Sequence, residues 1–137
     1  MKYCVKHKPI PLSRPRFGQG RVYDPQKEER IFYSISLDHQ HKNRPLLAGP
    51  LALDVTFFMP IPPGMTVKRK AIIRGTHHHI RPDLSNLIKW IEDVAQNIIF
   101  KDDALIVSIN AQKIYDDIPR TEFTIKELGQ VDEEEKG

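Results

Sequence analysis

The stretch "DLSNLIKWIEDVAQNI", residues 83–98, constrains the fold more than any other part of the chain. Leu84, Leu87, Ile88, Ile91, Val94, Ala95 and Ile98 recur at helical spacing and, at 100° per residue, fall within about a 120° arc. Asp83, Asn86, Lys89, Trp90, Asp93 and Asn97 lie on another arc. Among them, Asp83, Asn86, Lys89 and Asp93 form a polar ridge down one face. Asp and Asn are poor helix formers, and a merely solvated helix more often mixes Glu with Lys. The ridge therefore points to work beyond solvation. Asp83 stands at the N-cap position.

The rest of the chain supplies strands around that helix. Tyr3 to His7 alternates as a short strand. A Pro- and Arg-rich arm follows, kept extended by Pro9, Pro11 and Pro15 and carrying Lys8, Arg14, Arg16 and Arg21. A helix is expected from about Pro25 to Gln40, with Ile31 and Ile35 on a ragged apolar face. In "GPLALDVTFFMPIPPG", Leu51, Leu53, Val55 and Phe57 share one face of a strand, which Pro60, Pro62, Pro63 and Gly64 end. "MTVKRKAIIRGTHHH" is a basic stretch, either a short helix or a loop. In "DDALIVSINAQKIYDD", Leu105, Val107, Ile109 and Ala111 alternate with Ile106, Ser108, Asn110 and Gln112 as a long strand. "RTEFTIKEL" makes the last strand. The expected architecture is a single mixed α/β (α+β) domain: a small mixed sheet and two main helices over residues 1–131, then an acidic tail, 132–137, expected to be disordered.

Charge bears on partners. The whole chain is +3. The tail "VDEEEKG" sets four acids against one lysine, net −3, so the chain through Gln130 carries +6. A basic body with an acidic end fits a polyanion partner. No run approaches the ~20 apolar residues of a membrane span. A lone cysteine, Cys4, forms no internal disulfide and fits a reducing cytoplasm.

The chemistry concentrates at two places. Asp83 sits where a loop becomes a helix. Asp102 and Asp103 sit where a loop becomes a strand. If the helix packs on that strand, a short turn around Lys101 brings the carboxylates near one another. Converging carboxylates repel unless a divalent cation joins them, and hard oxygen ligands suit Mg²⁺. Such a site beside a basic arm fits phosphodiester hydrolysis. The same residues also read as a helix cap and a turn, and spacing alone does not separate the two.

Three blocks together resemble the RusA family of Holliday junction resolvases, endonucleases of bacteria and their prophages. "KPIPLSRPRFGQGRVYDP" is similar to the family's Pro/Arg arm followed by Tyr. "RPDLSNLIKWIEDV" is similar to its Arg/Lys-Pro-Asp-x-Asp-Asn-Leu-x-Lys helix start. "FKDDALIVSINAQKIYDD" is similar to its Asp-Asp strand with a downstream Lys. The resemblance implies Mg²⁺ ligation by Asp83, Asp102 and Asp103, with Asp103 the stronger of the adjacent pair. It implies charge stabilisation at the scissile phosphate by Lys89, and a cytoplasmic homodimer acting on a four-way junction.

One position departs from the pattern: Ser85 stands where the family has its second aspartate. A hydroxyl is a neutral, weak ligand, and Glu92 and Asp93 lie too far along the helix to replace it directly. The departure leaves an active nuclease with altered metal preference beside a junction- or duplex-binding protein without catalysis. His77, His78 and His79 join a metal shell or hold phosphate in one reading, where imidazole suits Mn²⁺ better than Mg²⁺, and are a solvated loop in the other. Asn86 is a further accessory candidate on the ridge. Trp90 is read as a partly buried packing anchor. Lys113 and Tyr115 either touch phosphate or end an exposed strand. Lys8, Arg14, Arg16, Arg21 and Arg81 are the candidate DNA contacts, because phosphate contact needs charge and reach.

Overall fold

Leu51, Leu53, Val55, Phe57 and Met59 are all buried, and their alternation builds the central strand of the molecule. The structure, a computed structural model, describes residues 1–14, 16–18 and 20–129, with the backbone alone for Arg16. In chain order the elements are β1 (Lys2–Val5), β2 (Arg16–Gly18), β3 (Arg21–Tyr23), α1 (Lys27–His41), β4 (Leu51–Pro60), α2 (Val67–Ile73), α3 (Leu84–Ala95), β5 (Ile106–Asp116) and β6 (Arg120–Glu127), with a single 3₁₀ turn at Asp103–Leu105. The acidic tail lies outside the described residues. So does the side chain of Arg16.

The main sheet runs β1-β6-β4-β5. β4 pairs with β5 in parallel and with β6 antiparallel. A parallel neighbour needs a crossover, and the segment holding α3 supplies it. α1 and α3 cover one face of the sheet, where Tyr33, Leu37, Leu87, Trp90, Ile91 and Val94 join the inward residues of β4 and β6 in one core. The fold is the expected mixed α/β domain, two layers thick. No helix among the described residues is long and apolar enough to cross a membrane.

Where structure and sequence part, the reasons are local. α1 buries Tyr33, Leu37 and His41, one turn apart. Ile31 and Ile35, the expected face, stand half-exposed or more. Tyr and His read as polar in a pattern, yet the Tyr3 hydroxyl lies 2.7 Å from His41 Nδ1 and the Pro45 carbonyl 3.1 Å from its Nε2. A buried ring with both nitrogens partnered carries no desolvation penalty worth avoiding. Trp90 belongs to the buried arc rather than the polar one, at 1 % exposure. Its ring meets Tyr33 edge-on at 5.4 Å and carries the Arg30 guanidinium at 5.1 Å.

β5 departs from strict alternation as well. Ile106 pairs with Leu51 and Ser108 with Ala52, so a bulge leaves Val107 without a partner, and Val107 is 62 % exposed. Leu105 is in the 3₁₀ turn, not the strand. The arm is not one extended string either. Its first part is docked: the Leu12 N–H donates to the Asn86 carbonyl at 3.1 Å, and Gln26 donates to the Pro11 carbonyl while accepting from the Ser13 N–H. Its second part closes into the β2–β3 hairpin. The basic stretch before the histidines is the short helix α2, capped by the Thr66 hydroxyl.

Candidate active site

The polar ridge of α3 faces outward, and the docked arm runs beside it. Two clefts open there and meet at Asn86. The first, of about 540 Å³, is lined by Lys8, Arg81, Asp83 and Asn86 among others. The second, of about 430 Å³, is lined by Arg14, Arg30, Asn86, Lys89, Asp24 and Asp93. Together they make a cationic trough along the helix.

Asp83 occupies the N-cap position of α3, but its side chain makes no capping hydrogen bond. The residue instead lines the first cleft. The loop before it is tied down by Lys113, whose ammonium donates to the carbonyls of Ile80 and Pro82, both at 2.7 Å. Lys113 is thus a positioning residue for Arg81 and Asp83 rather than a phosphate contact or a free strand end. Lys113→Met removes two charge-assisted bonds. It is expected to lower stability by about 2 kcal/mol and to raise amide exchange in residues 79–82, read by thermal denaturation and hydrogen exchange.

At the far end of α3 the chain turns back. The Asn97 backbone has a positive φ of 67°, and the Leu47 N–H and carbonyl bond Ile99 and Lys101. This stitching aims the chain at Asp102 and Asp103. The Asp102 carboxylate accepts from the Ala104 N–H at 3.0 Å, and the Asp103 N–H donates to Gln96 Oε1 at 3.2 Å. The Ala104 N–H and the adjacent Asp103 carboxyl hold Asp102 below the usual carboxylate range. Asp103 is pushed up, first by the neighbouring Asp102 carboxyl and last by Asp93. Burial and the Asp103 charge raise Glu92, and Lys89 pulls it back. Glu92 therefore lies within the fields of both Lys89 and Asp103.

The structure does not bring the three expected carboxylates together. Asp83 precedes the first residue of a 12-residue helix, and Asp103 bonds the residue after its last. At 1.5 Å per residue the two ends are about 18 Å apart. Among the described residues no three His, Cys, Asp or Glu side chains are placed to hold one ion. The short turn around Lys101 does exist, but it meets the C-terminal end of α3, not the N-terminal end. Asp93 is also withdrawn from ligation. It pairs with Arg30, which bonds Asp24 at 2.8 Å as well, so this part of the ridge ties α3 to α1.

The histidines divide. His78 is buried against the Tyr115 ring, with centroids 4.9 Å apart, and burial followed by the Lys113 charge lowers its pKa. That environment disfavours a cation and makes His78 a packing group. His77 bridges Ile114, while the backbone from Gly75 to His78 bonds the end of β5. His77 and His79 are exposed. Ser85 is exposed on the same side of α3 as Lys89, Glu92 and Gln96, by helical spacing. Sequence reasoning missed Arg30, which no motif in its helix singles out, and Glu92, set aside as too far along the helix to replace the missing aspartate.

A family model described as "Endodeoxyribonuclease RusA" matches residues 6–126. The chain is also 29 % identical over 140 residues to the uncharacterized protein YqaN of Bacillus subtilis (strain 168), covering 93 % of this chain and 96 % of YqaN. With the arm, the helix start and the Asp-Asp turn all inside the matched span, the chain belongs to the RusA family of endodeoxyribonucleases.

Proposed function

We propose that this protein is a structure-selective DNA endonuclease that cuts four-way junctions, as a homodimer, with a divalent cation held by Asp102 and Asp103. The observation that carries the reading is one surface with a cationic trough at one end and a close carboxylate pair at the other. Arg14 and Lys89 line the trough and suit phosphodiester oxygens. Asp102 and Asp103 offer hard oxygen donors. Mg²⁺ is commonly held by one or two carboxylates, with waters and substrate phosphate completing the shell, so the pair fits without a third protein ligand. A cation there would supply an activated water and neutralise the leaving oxygen. Lys89 would place its ammonium against the charge that builds on the phosphate, with Glu92 between it and the pair. Arg81 and Lys8, which line the first cleft with Asp83, would grip the strand one cleft away. Lys8, Arg14, Arg21 and Arg81 are the proposed DNA contacts. Two symmetric cuts need two sites related by a two-fold axis, which supports the homodimer.

Cleavage of a synthetic four-way junction tests the reading, with Mg²⁺ and Mn²⁺ run separately and a duplex of the same sequence as control. The expected outcome is paired nicks in the junction only. A second reading, a junction-binding protein without catalysis, is favoured by Ser85 and by the distance from Asp83 to Asp103. Tight junction binding with no cutting in either metal would select it.

Ser85→Asp sharpens the test. The new carboxylate enters the first turn of α3, where the helix dipole favours it. Position 85 lies about 16 Å along the helix from the end that Asp103 meets, so the Mg²⁺ concentration for half-maximal cutting is expected to stay unchanged. A Mg²⁺ requirement lowered by about 10-fold, the effect of one oriented ligand partner, would mean that position 85 faces the ion and that the Asp102–Asp103 pair does not hold it.

A further inference from the structure

Among the described residues no further strand pairs with the β2–β3 hairpin, and it carries the most water-exposed aromatic side chain among them. Phe17 is 82 % exposed, and Val22, its partner across the hairpin, 61 %. Their shared face is apolar. The other face holds Arg21 across from Gly18, with Tyr23 next along. A Cβ at Gly18 would come within 2.8 Å of the Tyr23 ring. Glycine there lets the ring lie across the hairpin and stiffen it. The feet of the hairpin matter most. Arg14 on one side and Asp24 on the other line the same cleft as Lys89 and Asn86. The hairpin therefore rises from the rim of the candidate site.

We propose that this hairpin is the element that recognises the branch point, with Phe17 stacking on a base pair left open at the centre of a junction. The proposal rests on the nuclease reading above and names what that site distinguishes. An intact duplex has no free base face, because each pair is covered by the next. A branched centre exposes such faces, and burying Phe17 against one removes apolar surface from water. Apolar side chains inserted at base steps unstack them in other DNA-binding proteins. The exposed cations Arg14, at the foot of the hairpin, and Arg21, on its other face, would bind backbone phosphate around the inserted ring. Charge complementarity thus favours DNA as the occupant of this apolar face over an uncharged protein surface. The consequence is selectivity: only DNA that can accept the ring settles fully over Lys89.

Junction strands with 2-aminopurine beside the branch point report unstacking as a rise in fluorescence, measured without divalent cation so that nothing is cut. The wild-type protein is expected to raise the signal on the junction and not on the duplex. Phe17→Ala is expected to lose the rise and to cut junctions about 10- to 100-fold more slowly, the range of one base–aromatic stack, while duplex affinity stays nearly the same. Phe17→Trp should keep both. If the wild type binds and cuts junctions but Phe17→Ala matches it in signal and rate, the wedge is overturned and the nuclease reading stands. A wild type that neither binds nor brightens the junction overturns both. If Phe17→Ala instead turns a dimer into a monomer by sedimentation, the hairpin is a self-association surface and the wedge is again overturned.

Discussion

Asp103→Asn is expected to abolish junction cutting while leaving junction binding intact. The Asp103 carboxyl is exposed, sits beside Asp102 and feels Asp93, so its charge is poorly compensated within the chain. A cation would relieve that repulsion, and removing the charge removes the reason to bind one. Charge stabilisation by a bound metal is worth several kcal/mol in the transition state, so the rate should fall by about 1,000-fold or more. Phosphate attraction cannot weaken when a negative charge is lost, and affinity should hold or rise. The 3₁₀ turn is expected to survive, because the Asp102 side chain caps it. Single-turnover cleavage and junction binding, measured side by side, check this. Full activity in Asp103→Asn would remove the pair from the chemistry.

Lys89→Ala should separate catalysis from binding. Lys89 lines the second cleft beside Arg14 and acts on Glu92, which in turn feels Asp103. Glu92 thus stands in the fields of both Lys89 and the carboxylate pair. A preorganised donor aimed at developing charge is worth about 100- to 1,000-fold in rate. A surface phosphate contact is worth far less and acts on affinity. The expected result is a rate loss of about 100-fold or more with junction affinity changed only a few-fold. If rate and affinity fall together, Lys89 is a phosphate contact and nothing more. Lys89→Arg adds a control. It keeps the charge but spreads it over a planar fork, so it should bind normally and cut slowly.

Much of the site could be read along the chain, because its parts are local. Periodicity at residues 83–98 placed Asn86, Lys89 and Asp93 on one face, and α3 does present them so. The Asp-Asp turn ahead of β5 was equally visible. The Ser85 departure showed in a single pattern. What failed was distance along the helix axis. The angular position of a residue follows from its number, but whether a later segment returns to the start or the end of a helix depends on contacts far apart in sequence. Here the Leu47 backbone pairs with Ile99 and Lys101 and sends Asp103 to the C-terminal end of α3. The roles of Asp93 and Lys113 were hidden for the same reason. Arg30 lies 63 residues from Asp93, and Lys113 lies 31 from Pro82. A charge read in isolation looks free until its partner is known.

The chain's own pattern settles the faces of β4 and α3, since burial recurs at 2 residues in a strand and 3.6 in a helix whatever the surroundings. It settles the chemistry of the donors for the same reason, because residue type is not altered by folding. Packing alone settles the rest. His41 is buried because Tyr3 and Pro45 meet its ring. Trp90 is core only because Tyr33 and Arg30 close over it. Asp83 and Asp103 stand at opposite ends of one helix because a rigid rod of 12 residues holds them apart.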